Sequence, residues 1–355
     1  MGELELRKPG RSRAQTAWHR EQTPVPIAVP EPPLPQPSGP KVSPASDEPA
    51  SGLARYWEPR FWPTWFFLLW LRLTAALPWP VAIKGHKLLG RAAGALLGGR
   101  RKIVRRNLEI CFPELEPSQI KALMARHFEN VGVFLAEIAI AWFGCEQRLA
   151  RLFRIEGVEH LEAARAKGKG VLLYSGHFTT LEICVPIIKS LVPLFAFMFR
   201  GRNNPLLNAM QSRCRRRAAH VSVANSEVRE MLRLLRQNAV VWYAPDQARI
   251  DTGKLVPFFG EPAMTSTAAS RLALHSGATI VPLFFCRVPD DSGYVLRFEA
   301  PLDNLPTNDP THDTARLTAV LESFVRECPE QYFWTHRKFK SRPRALPDAY
   351  DQTTS

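Results

Sequence analysis

From about residue 153 onward, short strand-type runs alternate with helix-type stretches, and this alternation restricts the fold more than any other feature. Val171–Ser175, Leu194–Phe199, Val221–Ala224, Ala239–Tyr243, Thr279–Phe285 and Tyr294–Glu299 read as strands, rich in β-branched and aromatic residues. Between and after them, Thr179–Lys189, Pro205–Ala218, Glu227–Gln237, Thr265–Ser276 and Thr311–Cys328 read as helices. The expectation is an α/β domain of three layers with a mostly parallel sheet. In such a fold ligands bind beyond the carboxyl ends of the strands. No internal repeat interrupts the pattern.

Upstream the composition changes twice. Residues 1–54 are crowded with proline, including Pro30, Pro32, Pro33, Pro35 and Pro37, and Trp18 is the only aromatic residue before the last of them. Such a segment cannot bury enough apolar surface to offset its own ordering, so a disordered tail is expected. Residues 55–83 instead gather Trp57, Trp62, Trp65, Trp70 and Trp79 around an apolar run broken by Arg72, Pro78 and Pro80. Tryptophan flanked by arginine favours headgroup depth, and the breaks spoil a clean span of about 20 apolar residues. A bitopic or interfacial membrane anchor is expected, although an apolar run of this kind also suits a buried helix. The basic run Arg100, Arg101, Lys102, Arg105 and Arg106 follows it, suited to anionic lipid or to a solvated helix face. Residues 117–143 read as a packed helix with His127 as a structural histidine. The main domain is expected over 84–344, with a short tail at 345–355.

The excess of 47 Lys+Arg over 33 Asp+Glu gives a net charge of +14, which favours polyanionic partners. Aromatic residues cluster in the anchor and the strands rather than among the lysines and arginines, which argues against nucleic acid. The six cysteines are scattered, without a CxxC or zinc spacing, and read as reduced thiols with no metal site. The N-terminus lacks the apolar core of an export signal.

Chemistry concentrates in "VLLYSGHFTTLEI", Val171–Ile183, where a buried-strand pattern ends on Ser175, Gly176 and His177 and Glu182 follows five positions later. On one continuous helix that spacing would turn the two side chains about 140° apart. With His177 on the turn before the helix, Glu182 can project back towards it. An imidazole paired with a carboxylate has a fixed tautomer and raised basicity, and can take the proton from a hydroxyl attacking an acyl carbon. Neither a G-x-S-x-G elbow nor a cysteine next to His177 offers a covalent nucleophile, so direct transfer fits better.

This stretch resembles the H-x4-D/E motif of the glycerolipid and lipid A acyltransferases. The blocks "RRKIVRRNLEICFPEL", "HFTTLE", "FRGRNNPLLNAMQ", "VVWYAPDQ", "VPFFG", "GATIVPLFF" and "PEQYFWTHRKFKSRP" are similar, in order, to the late acyltransferases of lipid A synthesis, nearest the lauroyl (Kdo2-lipid IV-A) branch. The resemblance covers roughly residues 55–344. It implies a bacterial inner-membrane enzyme, working on the cytoplasmic face without a cofactor. Such an enzyme moves a fatty acyl group from acyl carrier protein to a hydroxyl of a lipid A precursor. It also implies His177 and Glu182 as the catalytic dyad, with Arg200, Asn204, Asp246 and Gln247 at the substrate. Arg200 can hold a phosphate bidentately; Asp246 can orient Arg200 or the acceptor, or serve as a turn former. Arg213, Arg215, Arg216 and Arg217 offer a landing surface for an acidic carrier protein. "LVPFFG" and "IVPLFF" suit an acyl channel or core strands, and His336 a structural or phosphate-facing role. Two rivals stay open: a lysophospholipid acyltransferase with the same dyad, and a non-enzymatic basic protein that binds membranes.

Overall fold

The computed structural model describes residues 53–199, 204–224, 227–247, 253–340 and 348–350. All of these lie in one compact unit, Gly39–Ser355. The proline-rich tail up to residue 52, Arg200, the side chains of Arg215, Arg216 and Arg217, and most of the C-terminal tail fall outside the described residues.

Among the described residues seven strands form one sheet: β1 (Phe153–Glu156), β2 (Val171–Tyr174), β3 (Phe195–Phe199), β4 (Val221–Ala224), β5 (Val240–Tyr243), β8 (Thr279–Arg287) and β9 (Tyr294–Phe298). Their order is β1-β9-β8-β2-β5-β3-β4, and every neighbouring pair is parallel except β8 with β9. β6 (Gly253–Phe258) and β7 (Glu261–Ser266) form a separate antiparallel hairpin. The central strand β2 is buried throughout and β8 nearly so, as continuous apolar runs in a sheet covered on both faces must be.

The connections place a crevice. After β2 the chain crosses to β3, beyond β5; after β5 the sheet resumes at β8, on the opposite side of β2. The direction of winding therefore reverses between β2 and β5, and the gap at their carboxyl ends is where an open α/β sheet receives its ligand.

The 55–83 stretch does not form one helix. It breaks at Pro78, whose missing N–H and fixed φ end one helix and start the next, giving Trp62–Ala76 and Trp79–Leu96. Among the described residues no helix is long and apolar enough to cross a membrane, which corrects the bitopic option. The two helices bury Leu68, Leu71, Ala82 and Ile83 and leave Trp62, Phe66, Leu69, Leu73, Val81, Leu88 and Leu89 exposed. Trp62, Phe66, Leu69 and Leu73 follow one another at intervals of four, three and four, so they share a single helix face. The tryptophans divide: Trp57 and Trp62 are exposed, whereas Trp79 is buried and donates to the Asp291 carbonyl at 3.0 Å.

The Trp79–Leu96 helix packs on the long helix Pro117–Phe143 through glycines. A Cβ on Gly132 would sit 2.1 Å from the His86 carbonyl oxygen, and one on Gly90 the same distance from that of Phe128. The long helix also carries Glu137, which pairs with Arg287 at 2.8 Å and accepts from the Tyr294 hydroxyl at 2.9 Å. Burial pushes the Glu137 carboxyl up, to about 7, against the pull of Arg287. His127 is buried in the same helix against the Glu330 carbonyl, the structural role expected of it.

Candidate active site

β2 and β5 run in register with Tyr174 opposite Tyr243. His177 and Asp246 each stand three residues further on, so the parallel pairing brings both to one point past the sheet. The His177 Nδ1 lies 2.5 Å from Asp246 Oδ1, and the His177 main-chain N–H donates to Oδ2 at 3.0 Å. This two-point grip fixes the imidazole tautomer: Nδ1 carries the proton towards the carboxylate and Nε2 keeps the lone pair. The His177 side chain is 33% exposed, while that of Asp246 is 1% exposed. The base can therefore meet a substrate while its carboxylate stays dry.

The Asp246 carboxylate is also held from a third side. The Tyr332 hydroxyl donates to Oδ2 at 2.8 Å, and the Lys338 ammonium donates to the Asp246 carbonyl at 2.7 Å. Tyr332 is positioned by backbone pairing: Phe178 bridges Tyr332 antiparallel, Thr179 N–H donates to the Gln331 carbonyl, and Phe333 N–H to the His177 carbonyl. Gly176 leaves room for this approach: a Cβ there would stand 3.3 Å from Tyr332 Cε2 and 2.6 Å from Leu321 Cδ1. Asn107, fully buried, holds the next stretch by donating to the carbonyls of Trp334 (2.7 Å) and His336 (2.8 Å).

Electrostatics follow from this packing. Burial disfavours the imidazolium of His177, but the charge and hydrogen bond of Asp246 outweigh it, despite Lys338, and lift the ring above the usual histidine range. Burial alone would raise Asp246, yet His177, Lys338 and the His177 backbone N–H hold it well below the usual carboxylate range. Lys338 is lowered by burial, with Asp246 opposing.

His177 lies on the turn before the helix Leu181–Leu191, as its sequence position demands, and half-buried Glu182 lies in that helix's first turn. The carboxylate on Nδ1, however, is Asp246. Gln247, next to Asp246 and exposed, lines one cavity together with Asp246, Tyr332 and Lys338. Asn204 serves the fold: its Oδ1 accepts from Leu207 N–H at 3.0 Å at the start of helix Pro205–Ala218, and its Nδ2 donates to Thr64 Oγ1 at 2.8 Å. Tyr332 was given no role by the sequence, although it lies in a block singled out there; an ordinary-looking aromatic carries no local sign of a partner 86 positions away. Among the described residues no group of three or more His, Cys, Asp or Glu side chains is arranged to hold a metal ion.

The model of the bacterial lipid A biosynthesis acyltransferase family matches residues 51–341. The chain belongs to that family. Among its relatives, the lipid A biosynthesis lauroyltransferase of Escherichia coli (strain K12) is 36% identical over 288 residues, 80% of this chain and 92% of that protein. The palmitoleoyltransferase of the same organism is 33% identical over 278 residues, covering 78% and 90%. Its myristoyltransferase is 26% identical over 256 residues, covering 72% and 79%. This acyltransferase therefore shares its family with enzymes named for three different acyl chains, and membership does not choose among them.

Proposed function

We propose that this acyltransferase moves a fatty acyl group from acyl carrier protein to a hydroxyl of a lipid A precursor, of the Kdo2-lipid IV-A type, at the cytoplasmic face of the inner membrane. The observation that carries the reading is the His177–Asp246 pair at the switch point of the sheet. Nε2 of His177 takes the proton from the acceptor hydroxyl as its oxygen attacks the thioester carbonyl. Asp246 stabilises the imidazolium that forms, and Tyr332 keeps Asp246 aligned. When the tetrahedral intermediate collapses, the C–S bond breaks and the same proton passes to the leaving thiolate, restoring neutral His177. Glu182 enters through the H-x4-D/E motif, and Arg200 and Gln247 as substrate contacts. The relatives' names support a saturated or monounsaturated chain, with lauroyl as the first to test.

The acceptor is a lipid, so the protein has to meet a bilayer. The exposed face of Trp62, Phe66, Leu69 and Leu73, with Val81, Leu88 and Leu89 exposed on the next helix, supports docking in the interface plane rather than spanning. Exposed Lys84 and Lys102 supply positive charge for anionic headgroups.

The test is a reaction of purified enzyme with lauroyl-acyl carrier protein and Kdo2-lipid IV-A, followed by mass spectrometry. Product heavier by one acyl group is expected from the wild type, and none above background from His177→Ala. An active His177→Ala enzyme would refute the assignment of the base.

A further inference from the structure

Two cavities share lining residues, and one of them reaches Asp246, the hydrogen-bonded partner of His177. One, of about 400 Å³, is lined by Asp246, Gln247, Tyr332 and Lys338 of the site together with Arg100, Arg337 and Lys340. The other, of about 610 Å³, is lined by Leu96, Leu97, Gly98, Gly99, Arg100, Ile103 and Arg337. Arg100 and Arg337 belong to both, and so form the boundary between them.

The two sides of that boundary differ in character. Among the described residues the inner cavity presents four cationic side chains, Arg100, Arg337, Lys338 and Lys340, against the one carboxylate of Asp246. The outer one opens at the end of the exposed apolar helix, where Leu96 is 84% and Leu97 50% exposed. A Cβ on Gly98 or Gly99 would meet nothing within 4 Å, so the groove floor is open there. A molecule passing from the outer groove to His177 travels from an apolar surface into a field of positive charge. An amphiphile with an anionic headgroup matches both. Burial and the nearby charges of His177, Arg100 and Lys340 hold His336 lowered, despite Asp246.

Among the described residues both guanidiniums are only lightly engaged. Arg100 directs one N–H to the Thr335 carbonyl at 3.1 Å, and the Arg337 guanidinium lies 5.7 Å from the Tyr350 ring centre. Each guanidinium has five N–H donors in a fork that fits phosphate.

We propose that Arg100 and Arg337 form an anion clamp at the mouth of the active site that binds a phosphate of the lipid acceptor as it enters from the Leu96–Leu97 groove. This rests on the acyltransferase reading above. The clamp fixes which part of the acceptor reaches His177: the phosphate stops at the arginines, and a hydroxyl on the lipid beyond it meets Nε2. The phosphodiester of the carrier protein's prosthetic arm is the competing source of the same chemistry.

The test uses the full chain carrying Arg100→Ala/Arg337→Ala, with Lys121→Ala/Arg126→Ala as a control that removes two exposed cations from the helix Pro117–Phe143. Binding is measured to nonionic micelles containing phosphatidate or, for comparison, uncharged diacylglycerol. Kinetics are measured with acyl-acyl carrier protein and a phosphorylated disaccharide lipid. The clamp predicts a loss of phosphatidate affinity of about tenfold or more in the first variant, less than twofold in the control, and no change with diacylglycerol. It also predicts a raised KM for the phosphorylated acceptor with KM for the donor unchanged. Equal losses in the two double variants would reduce the effect to diffuse surface charge and overturn the proposal, as would a rise confined to donor KM. If the wild type acylates no disaccharide lipid, the proposed function fails, while the micelle measurement still decides the clamp.

Discussion

His177 and Asp246 are brought together by the register of two strands: each follows by three residues one member of the opposed pair Tyr174 and Tyr243. The contact of 2.5 Å spans 69 positions of sequence. Because the carboxylate raises the imidazole pKa, the base is protonated and idle below that value. Activity should therefore rise with pH through a limb above the usual 6.5 of histidine. Asp246→Asn removes the charge, and burial alone then lowers the ring. The limb should move to lower pH, and kcat should fall by about 10²–10⁴-fold through loss of a competent base. A pH profile of kcat/KM for both enzymes measures this directly.

The same pair has a signature in stability. The raised His177 contributes fully below pH 6.5 and loses that contribution as pH rises through its folded value. The depressed Asp246 contributes above pH 3.8 and loses it as pH falls through its own folded value. Thermal denaturation of Asp246→Asn against wild type should show the greatest loss between pH 3.8 and pH 6.5.

Tyr332→Phe should act in the opposite direction on the pH profile. The hydroxyl donates to Asp246 Oδ2 at 2.8 Å and offsets part of its charge. Without it the carboxylate attracts the imidazole proton more strongly, so the acid limb should shift to higher pH. The lost bond to a charged group should cost about 1.5–3 kcal/mol of stability. A limb that stays in place would show that Tyr332 only packs.

How much of this the sequence disclosed depends on the range of the interaction. The strands around the site were legible because buried parallel strands are runs of apolar residues, and Val171–Ser175 and Ala239–Tyr243 correspond to β2 and β5 within one residue at an end. The placement of His177 on a turn was legible for the same local reason. Its contact with Asp246 was not. Glu182 is near in sequence and satisfied a local pairing argument, whereas Asp246 reaches His177 only through strand register, a property of the assembled sheet. The hairpin β6–β7 was missed because "VPFFG" reads as a core strand, although Phe259 and Gly260 form its tight turn with positive φ. The helix expected from Thr265 begins at Ala268 because Thr265 and Ser266 pair across that hairpin instead.

Gly132→Val tests the helix crossing beneath the apolar face. Added atoms would collide with the His86 carbonyl and the Gly90 backbone, neither of which can swing aside like a side chain. A loss of about 1–3 kcal/mol is expected from overpacking, read from the midpoint of urea unfolding. Gly98→Ala, whose Cβ meets open space, should change the midpoint far less.

The exposed helix face should govern membrane attachment. Phe66, Leu69 and Leu73 are 67%, 54% and 61% exposed, so replacing them with glutamate removes little packing inside the protein. In a bilayer each would bury apolar surface on insertion, and full burial of such side chains is worth about 1.5–3 kcal/mol apiece. Glutamate also adds charge of the same sign as an anionic leaflet. Phe66→Glu/Leu69→Glu/Leu73→Glu should therefore leave the thermal midpoint near wild type while releasing most of the protein from vesicles of mixed neutral and anionic lipid. Activity should fall sharply on acceptor embedded in vesicles, and much less on acceptor dispersed in detergent, where no bilayer has to be found. Raising the salt concentration should weaken wild-type attachment only in part, because apolar insertion is not screened whereas exposed charges are, beyond roughly 8–10 Å. Sedimentation of the variant with vesicles as completely as wild type would show that the bilayer is met by another surface.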